Sequence, residues 1–204
     1  MTVTGPASEP PLAVKTGAEA DQRLLMYAVS WDAYEAQMAL RDAPVPRVAY
    51  LDGAMELMSP SRDRERIKSY IGRLIEAYAL ERGFDLSPYG SWTLRNAPRA
   101  AGLEPDECFI IGSDQSADRP DLAIEVHWTS GGLEKLEIYR RLGVPEVWIW
   151  RDDAISVHVL SGDEYTRSDH SGQLPGIDLN LLVSLLDYPT VLQAVRALRK
   201  ALAG

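Results

Sequence analysis

Pro120-Asp121-Leu122-Ala123-Ile124-Glu125-Val126-His127-Trp128 alternates between apolar and polar side chains. That is the period of a β-strand with two unlike faces. Leu122, Ile124, Val126 and Trp128 share one face, and Asp121, Ala123, Glu125 and His127 share the other. Two carboxylates and an imidazole on one face of an inner strand need compensation, because unpaired charge is costly to bury. The pattern calls for a metal ion or another cation beside them.

Upstream, residues 104–111 form a second short apolar run, and the polar, Gly- and Ser-containing connection 112–119 makes a hairpin the economical reading. If Ile111 opens the pairing opposite Pro120, Asp106 falls opposite Glu125. Directly opposed Cβ atoms lie about 4.5–5.5 Å apart, so a cation between the two carboxylates would relieve their repulsion. A hard, oxygen-liganded ion such as magnesium suits that spacing. A slip of one residue would turn Asp106 to the other face. Downstream, Ser130-Gly131-Gly132 ends the strand, residues 133–142 have helical spacing with Gly143 as the stop, and residues 144–150 form the next strand. Strand, helix and strand in that order predict a right-handed crossover and a parallel pair. Lys135, near the helix start, can bring an ammonium back over the carboxylates. The plainer alternatives are that Asp121 caps its strand, Glu125 and Lys135 form a structural ion pair, and His127 is a satisfied core histidine.

Further from this centre, Ser30 reads as the N-cap of a helix over 31–41. Residues 48–51 and 54–58 flank Asp52-Gly53, the signature of a type I′ hairpin turn. Ser59-Pro60-Ser61 opens a helix over 62–81, with Ile67, Tyr70, Ile71, Leu74, Ile75 and Tyr78 on one stripe. At 100° per residue Asp63 and Arg64 fall on the edges of that stripe and Glu65 points away. Asp63 is therefore the helix-borne candidate for an acidic site, unless it only favours the helix N-terminus. Strands are expected over 89–94, 155–160 and 164–168, and a closing helix over 190–202. Residues 1–20 read as a mobile tail, and 21–204 as a single domain.

Composition narrows the function classes. With 46% hydrophobic and 25% charged residues in 204, the chain is of ordinary globular type. No apolar run approaches the roughly 20 residues of a membrane helix, and the N-terminus lacks a secretory pattern. The single cysteine, Cys108, excludes an internal disulfide and fits a cytoplasmic setting. A net charge of −9 argues against a general nucleic-acid binder. Arg62, Arg64, Arg66, Lys68, Arg95 and Arg99 either gather into a local basic face or are solvated surface groups. Apolar surface around Trp148 and Trp150 is expected to support a homodimer. There is no Gly-rich phosphate loop, zinc-type spacing or nucleophile elbow.

The ordered motifs resemble a known group. Residues 51–60 (Leu-Asp-Gly-Ala-Met-Glu-Leu-Met-Ser-Pro), Glu104-Pro105-Asp106, residues 120–126, Glu134-Lys135-Leu136-Glu137-Ile138-Tyr139 and Gly143-Val144-Pro145-Glu146-Val147-Trp148 are similar to those of the PD-(D/E)XK nuclease superfamily, and within it to the Uma-type restriction endonucleases. The resemblance spans about residues 30–185. It implies a restriction-endonuclease-like α/β core, a mixed central β-sheet flanked by helices, and metal-dependent hydrolysis of DNA with Mg²⁺, or Mn²⁺, as cofactor. Carried over by position, Asp106 and Glu125 are the acidic metal ligands, Asp63 is the helix-borne candidate to join them, and Lys135 matches a lysine displaced onto the following helix. The usual lysine position holds His127, so either Lys135 or His127 orients the attacking water. Arg64 stands where relatives often carry histidine.

Overall fold

The computed structural model describes residues 21–114, 116–126 and 132–203. The proposed tail 1–20 and His127 lie outside the described residues.

Among the described residues there are eleven strands, in chain order β1 (Gln22–Met26), β2 (Arg47–Leu51), β3 (Ala54–Ser59), β4 (Leu86–Pro88), β5 (Leu94–Asn96), β6 (Ala101–Leu103), β7 (Glu107–Ile111), β8 (Leu122–Val126), β9 (Glu146–Arg151), β10 (Ala154–Ser161) and β11 (Glu164–Ser168). The α-helices are α1 (Trp31–Ala39), α2 (Arg62–Arg82), α3 (Lys135–Leu142), α4 (Leu179–Ser184) and α5 (Val191–Leu202). The strands form two sheets. One is antiparallel, in the order β1-β3-β2-β6-β5; the other runs β11-β10-β9-β8-β7-β4 and is mixed, because β8 and β9 pair in parallel.

Local chemistry accounts for the elements that position the site. The β2–β3 hairpin turns on Asp52 and Gly53, both at positive φ (46° and 86°), as a type I′ turn requires. Helix α2 starts where the Ser61 hydroxyl accepts the Arg64 amide at 3.2 Å, and it stops at Gly83 in the left-handed region. Its apolar stripe is buried against Leu122, Ile124, Val126, Trp148 and Trp150 of the mixed sheet and against α5. The opposite face of that sheet, with Cys108, Ala123 and Val147, packs on α3 and on the antiparallel sheet through Ala49, Leu94, Ala101 and Leu103. The two faces of β8 are thus divided as its alternation predicts.

Several expectations are corrected. Residues 89–93 form no strand; β4 and β5 flank them in different sheets. Trp148 and Trp150 are 0% and 3% exposed, because β9 is an inner strand between β8 and β10 and carries both rings into the core. They offer no surface for a homodimer. Strands β1, β4 and β6 and helix α4 have no counterpart in the periodicity reading, being short segments with little pattern of their own.

At Gly102 a Cβ would meet the Tyr34 ring, with Cζ only 2.9 Å away. The Tyr34 hydroxyl is buried without a hydrogen-bond partner among the described residues. Gly102→Ala is expected to cost about 1–3 kcal/mol by overpacking, seen as a lower urea midpoint at unchanged slope. Tyr34→Phe is expected to recover part of that loss.

Candidate active site

The site is built where β7 meets β8. Glu107 lies opposite Ile124, Cys108 opposite Ala123 and Phe109 opposite Leu122. One step further, the same register sets Asp106 against Glu125, as the hairpin reading predicts. Both carboxylates are completely buried. They lie on the side of the hairpin that also carries Cys108 and Ala123, toward α3 and the antiparallel sheet. The Val126 amide donates to Asp106 Oδ2 at 2.7 Å, which pins that carboxylate to the end of β8.

Three basic side chains converge on the pair. Arg64, from the first turn of α2, is 0% exposed. Its Nη2 lies 2.6 Å from Asp106 Oδ2 and 3.5 Å from Glu125 Oε2, its Nε 3.2 Å from Asp106 Oδ1, and its Nη1 2.8 Å from Asp21 Oδ2. Arg47, on β2, donates to Asp106 Oδ1 and, at 2.6 Å, to Glu65 Oε1. Lys135 Nζ lies 2.5 Å from Glu125 Oε2, and the Tyr139 hydroxyl donates to Glu125 Oε1 at 2.6 Å. Lys135 and Tyr139 are one helical turn apart on α3 and so face Glu125 together.

The electrostatics follow from these contacts. Burial pushes the Glu125 carboxyl upward, but Lys135 and Arg64, with the Lys135 and Tyr139 hydrogen bonds, outweigh it and hold the group below the ordinary range. Burial draws the Lys135 ammonium below its usual value, with Glu125 opposing. Burial and then Glu125 raise the Tyr139 phenol, so it stays protonated and donates. Asp21 is raised by burial but lowered further by the Ser61 amide and by Arg64, and ends below the usual carboxylate range.

Asp63 does not join the site. It is half-buried and makes no hydrogen bond or ion pair among the described residues. The longer side chain one position on, Arg64, reaches the strands instead, and a guanidinium there neutralises charge that a third carboxylate would have increased. Glu65, expected to point away, borders the site through Arg47. Asp121 Oδ2 accepts the Ile111 amide at 2.8 Å, so it caps the hairpin and is apart from the carboxylate pair. Arg64 is no surface group. Among the other basic residues named, Lys68 pairs with Glu65, Arg95 with Glu35, Arg66 donates to the Leu186 carbonyl and Arg99 to the Arg141 carbonyl. Only the spacing of Tyr139 from Lys135 was readable in advance. Asp21 and Arg47 carry no sequence signal, since strands of the other sheet bring them in.

The donor chemistry of Asp106 and Glu125 suits a hard cation. Arg64 lies in the place between them, and no three His, Cys, Asp or Glu side chains gather into a metal-holding group among the described residues. Each carboxylate oxygen has about two acceptor positions. With Arg64 aside, Asp106 would keep its bonds to Arg47 and Val126 and Glu125 its bonds to Lys135 and Tyr139, and both would retain free positions. Those free positions are the ones a divalent ion would need, and it could take them only with Arg64 displaced.

A family model described as "Uma2: Putative restriction endonuclease" matches residues 31–187. No curated protein matches the chain. Nucleases of the PD-(D/E)XK superfamily, to which that family belongs, typically use divalent metal ions.

Tyr139→Phe removes a donor and leaves Glu125 Oε1 buried without it. The variant is expected to lose about 1–3 kcal/mol, measured by urea denaturation. Tyr34→Phe, which breaks no hydrogen bond among the described residues, is expected to change stability far less.

Proposed function

The chain belongs to the Uma2 family of restriction endonuclease-like proteins, and on that premise we propose that it hydrolyses DNA phosphodiester bonds with Mg²⁺, or Mn²⁺, at Asp106 and Glu125. The observation that carries this reading is the convergence of two buried carboxylates from paired strands with a lysine 2.5 Å from one of them.

Asp106 and Glu125 would hold the ion. When bound, a divalent ion polarises a phosphoryl oxygen and lowers the pKa of a coordinated water. The protein's own groups do the positioning. The Val126 amide and Arg47 hold Asp106, and Tyr139 fixes the rotamer of Glu125. Lys135, buried and drawn toward its neutral form by that burial, orients the attacking water or holds its proton, and as an ammonium it stabilises charge developing on the phosphate. Lys135 fills the lysine role in this scheme.

One observation favours a second reading, a nuclease-fold protein that binds without cleaving: the guanidinium already filling the space between the carboxylates. Nicking of supercoiled plasmid in excess magnesium separates the two. Cleavage is expected from the wild type and to be lost in chelator. Lys135→Ala is expected to lower the rate by about 10²–10³-fold, and Glu125→Gln to abolish it. Cleavage that survives chelation, or that both variants retain, would sink the catalytic assignment, and DNA retention without nicking would favour the binding reading.

A further inference from the structure

We propose that Arg64 is a resident cation that competes with divalent ions for the Asp106–Glu125 pair, and that Asp21 holds it there. The inference rests on the metal-binding reading above and adds a residue that controls it.

Arg64 is among the largest completely buried side chains of the protein, and an arginine is rarely buried without full pairing. Its pairing is complete in kind. Nε and Nη2 grip Asp106 in a two-point contact, Nη2 also approaches Glu125, and Nη1 meets Asp21. That fork geometry is what a guanidinium does best against carboxylates. The positive charge relieves the repulsion between two carboxylates on opposed strand positions, which is the electrostatic task a divalent ion would otherwise perform. A divalent ion held by Asp106 and Glu125 would need acceptor positions that the guanidinium now takes, so occupation by one would exclude the other.

Asp21 supplies the hold. Its Oδ1 accepts the Ser61 amide at 2.9 Å while its Oδ2 binds Arg64. Ser61 is also the N-cap of α2, and its hydroxyl accepts the Arg64 amide. One carboxylate thus ties the helix start and the arginine together. Asp21 immediately precedes β1, which pairs with β3, and it lies outside the residues 31–187 that match the family. The clasp comes from a part of this chain that the shared core does not include. Losing it would leave Arg64 with Asp106 and Glu125 alone and free one end of the guanidinium.

Manganese binding to the full chain, followed by calorimetry and by the electron paramagnetic resonance signal of free Mn²⁺, tests this without any measurement of activity. Arg64→Ala is expected to bind Mn²⁺ at least about tenfold tighter than the wild type, a difference of about 1.4 kcal/mol. Asp21→Asn, which keeps the arginine, is expected to shift affinity in the same direction by a smaller factor, and it carries the test if Arg64→Ala fails to fold. Adding Glu125→Gln to either variant should remove the gain. Equal Mn²⁺ affinity in the wild type and both variants would overturn the competition while leaving metal binding intact. No binding by any of the three would overturn the competition and the metal-dependent reading together.

Discussion

Two carboxylates buried side by side are the constraint around which the structure is arranged. Asp106 and Glu125 are fully removed from solvent, where isolated negative charges would each cost several kcal/mol. They are tolerated because Arg64, Arg47 and Lys135 reach them from three different elements, α2, β2 and α3, and because the Val126 amide and the Tyr139 hydroxyl occupy further acceptor positions. Replacing any one of these partners would leave charge or a lone pair unsatisfied in the interior. The cluster therefore ties together the start of α2, the hairpin sheet and the strand–helix–strand unit.

The fold delivers these partners by ordinary means. Strand β8 separates two cores, one against α2 and α5, the other against α3 and the antiparallel sheet. Its polar face is turned to the second, where α3 brings Lys135 and Tyr139 one turn apart. The capped N-terminus of α2 ends beside the hairpin edge, so its first-turn arginine enters from the rim. A lysine in this position serves two ends: it neutralises Glu125 at rest, and its burial makes it easier to deprotonate than a surface lysine. The same contact that stabilises the folded protein is the one that catalysis would use.

Much of this could be read from residues alone. Alternation over 120–128 separated the faces of β8, and pairing arithmetic across the connection set Asp106 opposite Glu125, the register seen for Glu107 and Ile124. The Asp52-Gly53 turn, the Ser61 cap and the stripe of α2 were equally plain, because each is a local conformational preference. The burial of Trp148 and Trp150 is not legible in residues 144–150, because an inner strand and an edge strand of this composition look alike until neighbours are known. Asp63 and Arg64 fall on the two edges of the apolar stripe of α2, and periodicity does not choose between a short acid on one edge and a long base on the other.

The sequence by itself determined that this chain would form a strand bearing clustered acid followed by a helix that starts at Lys135, and it offered the hairpin register that opposes Asp106 to Glu125, which the pairing of Glu107 with Ile124 then selected. It also determined that some positive charge must lie among those groups. Only the tertiary structure decided that the charge is the guanidinium of Arg64, seconded by Arg47 and anchored by Asp21. Backbone preferences and side-chain periods act over a few residues and are written locally. Which cation fills a buried space depends on side chains that are 42 and 59 positions from Asp106 along the chain, and their meeting is a consequence of sheet and helix packing that no local pattern encodes.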